Sequence, residues 1–169
     1  MTTIDLADVP QHLKKLEGDL KEAAVRGLQS AALRGVAMIQ TQIIPSRSPA
    51  PVDRSAYRAG WKADVNDPPD GATIYNDEAH AALIEYGVDP GSVKPGYAMI
   101  ENLTEWAMRK GIAADEVEAV EIAWSIANSA RSRGFFYPGG LGILRELVEQ
   151  HLPRIIEEEV GREIRRLQL

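Results

Sequence analysis

Apolar side chains recur at three- and four-residue steps along the start of this chain, at Val9, Leu13, Leu16, Leu20, Ala24, Leu28, Ala32, Val36, Ile39 and Ile43. That spacing lines one face of a helix and predicts a single long one over Pro10–Ile44. Asp8 is placed to cap it, Pro10 suits its first turn and Pro45 ends it. At 1.5 Å per residue the helix is about 50 Å long, more than one small core covers. Its stripe has two partners to choose from, the C-terminal helix of the same molecule and a neighbouring subunit, and they are not exclusive. Gly18, Gly27 and Gly35 interrupt it, as bends or as places where another helix comes close.

The pattern then changes to strict alternation. Gly60-Trp61-Lys62-Ala63-Asp64-Val65 reads as a half-buried strand, Asn66–Gly71 as a turn and Ala72–Tyr75 as the return strand. Asn76 or Asp77 can cap a short helix starting near Glu78, with Ala79, Ala82, Leu83 and Tyr86 on one side and Gly87 as its stop. Met99–Lys110 is helical, with Ile100, Leu103, Trp106 and Ala107 on one face and Gly111 closing it. Asp115 and Glu118 form a capping box for a helix to about Ser132. There Val117, Val120, Ala123, Trp124 and Ala127 form one stripe and Ile122, Ile126 and Ala130 a second, which predicts burial on two sides. Leu141–Leu169 is again helical, with a kink or restart at Pro153. Glu158 and Arg162 stand at ion-pairing distance along it, and Glu157–Glu159 reads as a solvated face.

Together these elements predict an α+β fold, predominantly helical, with long N- and C-terminal helices around a small antiparallel sheet. The expected organisation is one domain over 1–169. It comprises a helix over 1–44, a proline-rich loop over 45–55, a central core over 56–140 and a kinked helix over 141–169. The proline-rich loop is either an ordinary surface loop or an arm that lies along another surface.

Composition narrows the chemistry. The chain has 169 residues, 44% of them hydrophobic, which is enough for a real core. There is no cysteine, so disulfides, thiolate metal sites and cysteine nucleophiles are excluded, in keeping with synthesis in a reducing cytoplasm. The opening MTTIDLADVPQH does not read as a signal peptide, and no apolar run is long enough to span a membrane. A net charge of −6 argues against a nucleic-acid binder. His12, His80 and His151 form no metal-binding pair, and Gly139–Gly142 lacks the lysine of a phosphate loop. No cofactor is expected. Glu85 beside Tyr86 is the best local candidate for carboxylate acid–base work, though a polar helix end or a subunit contact explains it more simply. Arg131 and Arg133 next to Phe135, Phe136 and Tyr137 mix charge and aromatic surface as protein–protein hot spots do, with core packing of the phenylalanines as the alternative.

One stretch carries a likeness to known proteins. Pro51-x-Asp53-x-Ser55 precedes the Gly60-Trp61 strand. Ile74-Tyr75-Asn76 follows, and then Ala81-Ala82-x-Ile84-Glu85-Tyr86-Gly87. With the glycine–aromatic–proline turn at Arg131–Pro138 and the closing helix, the chain resembles the neck proteins of tailed bacteriophages, of the tail-completion, head–tail joining or minor tail type. The resemblance implies a virion protein with no catalysis, made in the bacterial cytoplasm and placed at the head–tail interface. It implies a homo-oligomeric ring, sixfold by expectation, between a head-side connector or stopper and a tail terminator or tail tube protein. Genomic DNA passes its lumen without specific binding. The expected contact residues are Arg47, Arg54, Trp61, Glu85, Tyr86, Phe135, Phe136 and Tyr137. A tail terminator or head-side adaptor of the same particle, or a hydrolase built on Glu85, are the alternatives.

Overall fold

Small residues, not large ones, mark the buried centre of the N-terminal helix. The computed structural model describes residues 9–47, 56–66, 71–135 and 139–167. It is 71% helical with one two-stranded antiparallel sheet, the helix-dominated α+β fold expected. Asp8, the expected cap, lies outside the described residues. The chain groups into two compact units, Met1–Glu78 with Ile143–Leu169, and Ala79–Gly142. The 56–140 stretch is thus shared: its hairpin belongs with the two chain ends, and the remainder forms the second unit.

In the first unit, α1 (Val9–Met38) runs into a π turn (Ile39–Ile43) and a last helical turn, α2 (Ile44–Ser46). Of the expected stripe, Ala32, Ile39 and Ile43 are buried, Leu16, Leu20, Ala24, Leu28 and Val36 form a half-buried flank, and Leu13 is exposed. The centre of the buried face is the ladder Ala23, Gly27, Ala31, Gly35, Ile39 and Ile43, each four residues after the last. Side chains at four-residue spacing form a ridge, and a ridge of small ones lets another backbone approach. That backbone is α8 (Leu152–Arg166). A Cβ on Gly27 would stand 2.5 Å from Val160 Cα, so the two helices touch main chain to main chain there. Gly35 faces Ile74 and Leu147, while nothing lies within 4 Å of a Cβ on Gly18. Two of the three glycines are therefore close contacts.

The C-terminal segment repeats the device of the first. α7 (Ile143–Glu146) passes through a π turn (Leu147–His151) into α8. Each π turn ends two residues before a proline, Pro45 and Pro153. A proline inside a helix offers no N–H and crowds the carbonyl four residues back. Slipping the hydrogen bonds to the wider register, Ile44 N–H to Ile39 O and Leu152 N–H to Leu147 O, carries the helix across that gap. This is the physical form of the restart expected at Pro153. Ile39, Ile44, Ile143, Leu147 and Tyr57 are the largest fully buried side chains, so the core of this unit gathers around the two π turns.

Trp61–Val65 (β1) and Ala72–Asn76 (β2) pair antiparallel, in register from Trp61 opposite Asn76 to Val65 opposite Ala72. The turn residues 67–70 lie outside the described residues. A short helix, α3 (Ala56–Ala59), precedes β1 and was not expected. It ends at Gly60, where a Cβ would meet Asn76 Oδ1 at 2.6 Å. Asn76 does not cap a helix. Its amide donates to Tyr57 O at 2.8 Å and its oxygen accepts from Glu78 N–H at 3.0 Å, closing the turn that follows β2.

Charged residues seal the α1–α8 seam. Glu159 and Glu163 sit on the inward face of α8 and are buried. Arg34 of α1 donates to Glu158 at 2.7 Å and Glu159 at 3.1 Å, and Arg26 donates to Glu163 at 3.2 Å. Arg162 and Arg166 close over Glu159 and Glu163 from the helix's own side. The expected Glu158–Arg162 pair does not form, because Glu158 is taken by Arg34 and Arg154. Nor is 157–159 a solvated face: only Glu157 is exposed, since successive helical residues point about 100° apart and Glu159 falls on the same face as the buried Ile155, four residues before it. The Arg34 guanidinium, followed by that of Arg154, holds the Glu158 carboxyl below the usual glutamate range.

In the second unit, α5 (Tyr97–Arg109) and α6 (Glu116–Arg133) pack along each other. Asp115 accepts from Glu118 N–H at 2.9 Å, the expected cap, and Glu118 reaches back at 2.7 Å to the N–H of Ala114, one residue before the cap position of a strict capping box. Gly111 closes α5 at φ 64°. Ile100, Leu103, Trp106 and Ala107 line the inner side of α5 as expected. α6 differs from expectation. Its buried residues are Ala119, Ala123, Ala127 and Ala130, while Val117, Val120 and Trp124 are exposed. Of the residues expected inward, Ala123, Ala127 and Ala130 are buried and Ile122 and Ile126 half-buried, so the cover follows the alanines and the isoleucines beside them.

Candidate functional site

Two helices of the second unit end on glycines in the left-handed region, and their ends are stitched together. The first is α4 (Ala81–Tyr86), which starts later than expected. Gly87 closes it at φ 76°, its N–H bonded to Leu83 O at 2.9 Å. Gly134 closes α6 at φ 78° in the same way, bonded to Ala130 O at 2.9 Å. The next residues, Val88 and Phe135, then pair as a two-residue antiparallel bridge with N–H to O distances of 2.8 and 3.0 Å. Gly91 N–H takes the carbonyl of Arg131 at 2.7 Å.

The Gly139–Gly142 turn completes the junction. Leu141 N–H bonds Ile84 O at 2.8 Å and Gly142 N–H bonds Glu85 O at 3.2 Å, so carbonyls left over at the end of α4 find donors. Gly140, at φ 66°, lies so close that a Cβ would fall 2.1 Å from Glu85 O. The glycine-rich stretch is thus a splint for α4.

This junction displays aromatic surface. Tyr86 is 70% exposed, Phe135 is 41% exposed and Leu83 is also out in solvent. The side of the helix that carries Ala79, Ala82, Leu83 and Tyr86 is the outward one: these four are exposed, and Ala81, Ile84 and Glu85 are buried. The helix is one and a half turns long, too short for spacing alone to say which side has a neighbour.

Of the expected contact residues, the fold brings Glu85, Tyr86 and Phe135 to this one junction. Glu85 turns inward, so its side chain is not presented on the surface. Trp61 is 4% exposed and packs edge-on against Tyr57, with ring centroids 6.0 Å apart. It is a core residue of the first unit rather than a contact residue, because the first position of β1 points at the helices it packs on. Arg47 lies at the end of α2, ion-paired to Glu146, and so ties the two helical segments of that unit. Arg54, Phe136 and Tyr137 lie outside the described residues.

On the hairpin, Lys62 pairs with Asp77, which draws the Asp77 carboxyl below its usual range and raises the Lys62 ammonium. Tyr75 donates to Asp64 at 2.7 Å, and that bond raises the phenol. Among the described residues there is no group of three or more histidines and carboxylates that could hold a metal, and no helix is long and apolar enough to cross a membrane. No protein-family model, curated protein or solved structure matches this chain.

Proposed function

We propose that this chain is a structural subunit of the neck of a tailed bacteriophage, acting by assembly and not by catalysis. Copies of it form a closed ring between the head-side connector and the tail, sixfold by resemblance, and DNA passes through the opening. A head-to-tail interface that closes on itself gives cyclic symmetry. The observation that supports this reading is the rigid junction that holds Tyr86, Phe135 and Leu83 out in solvent. Exposed aromatic residues on a braced backbone lose little freedom when they are covered, which favours their use as contact anchors. The net charge of −6 suits a passage that does not retain DNA.

The test is assembly of particles in which this chain carries Tyr86→Ala and Phe135→Ala together. The expected result is a folded subunit, with an unchanged far-ultraviolet circular dichroism spectrum, that fails to join heads to tails. Normal particle yield from the double variant would count against the reading.

A further inference from the structure

The α6 helix carries an apolar face that its own unit leaves uncovered. Val117, Val120 and Trp124 follow at three- and four-residue steps, with 71, 37 and 43% of their surface exposed. The alanine seam beside it takes the contacts with α5. Isolated exposed apolar residues are ordinary, but three in line on one helix make a contact face.

Its rim is of one sign. Glu116 and Glu121 flank the stripe, and from Asp115 to Ala130 there is no lysine or arginine. Two such faces meeting each other apolar to apolar would set these carboxylates against their own copies. The face therefore fits a surface that is partly apolar and basic. The chain has one in the last turns of α8. Arg162, Arg165 and Arg166 are exposed there, Ile164 is exposed on the side next to Arg165, and Glu163, the carboxylate of these turns, is buried. Arg162 and Arg166 fold onto Glu159 and Glu163, whereas Arg165 lies back along Gly161, its Nη1 3.3 Å from where a Cβ would stand.

We propose that the α6 face of one copy seats on the C-terminal turns of α8 of a second copy, Trp124 on Ile164, with Glu121 toward Arg165. The two surfaces differ, so the contact is heterologous and propagates from copy to copy until it closes. It names the subunit interface of the ring proposed above and rests on that reading.

Charge reversal tests it, with mass followed by sedimentation of the full chain. Glu121→Arg and Arg165→Glu should each weaken self-association about tenfold or more, and the two together should restore it, as a direct charge pair requires. Wild-type association should weaken as salt is raised. Both residues are exposed, and should either reversal unfold the chain, Trp124→Ser carries the same test by loss of association. A wild type that assembles with a mass indifferent to these substitutions overturns this contact and leaves the ring reading standing. A wild type that stays monomeric at the highest attainable concentration overturns both.

Discussion

The two helix pairs, α1 with α8 and α5 with α6, solve the same packing problem and part company at their edges. Each lays large side chains from one helix against small ones on the other, Ala23-Gly27-Ala31-Gly35 on α1 and Ala119-Ala123-Ala127-Ala130 on α6. In the first pair the seam is closed from both sides by arginines that reach the buried Glu159 and Glu163. In the second, the residues beside the seam are Val117, Val120 and Trp124, and they stay in solvent. The seam of the first pair is closed within its own unit. The other presents apolar surface of the kind that a subunit interface covers.

The largest effect is expected at Gly27. Alanine there raises helix propensity by up to about 1 kcal/mol, yet its Cβ meets main-chain atoms of Val160 that cannot rotate away. Gly27→Ala should lose on the order of 3 kcal/mol in urea unfolding, the upper range for overpacking. Arg34→Met comes next. The Glu158 carboxyl is held below its usual value of 4.5, so its pairing stabilises the fold above that pH and is lost as pH falls through the lowered value. The gap in stability between wild type and Arg34→Met should be widest at neutral pH and close on acidification. A gap that is constant from neutral pH to pH ~3 would mean that packing of the arginine stem, not its charge, matters.

Smaller again is Gly18→Ala, with nothing within 4 Å of the added carbon. It should gain roughly 0.5–1 kcal/mol, opposite in sign to Gly27→Ala on the same helix. Smallest is Trp124→Ser, which should change the unfolding free energy of the isolated subunit by no more than about 0.5 kcal/mol, as expected of an exposed site. A large loss at Trp124 would show that its face is already covered within the subunit.

Periodicity was a good guide wherever an element was long. The terminal helices, the hairpin and its strands, the Asp115–Glu118 capping box and the glycine stops at Gly87 and Gly111 were all legible, because each follows from local backbone chemistry. Which face of a helix turns inward was harder. On α1 the eye is drawn to leucines, but the closest approach is made by glycine and alanine, which register as weak helix formers or neutral spacers. On α8, glutamates in a row look solvent-facing, and only the arginines of α1, more than a hundred residues away in sequence, explain their burial. Trp61 illustrates the same limit among the expected contact residues: an aromatic residue at a strand start serves a core as readily as a surface. Tyr86 and Phe135 come together through Gly87, Gly134 and one bridge of main-chain bonds, a pairing between positions far apart that no local pattern announces.

The most direct measurement of the central claim is an image of the purified chain at high concentration by electron microscopy, class-averaged along the symmetry axis. The account predicts closed rings of identical subunits with an opening wide enough for a DNA duplex. Uniform single subunits, with the α6 face left bare at every concentration, would contradict it.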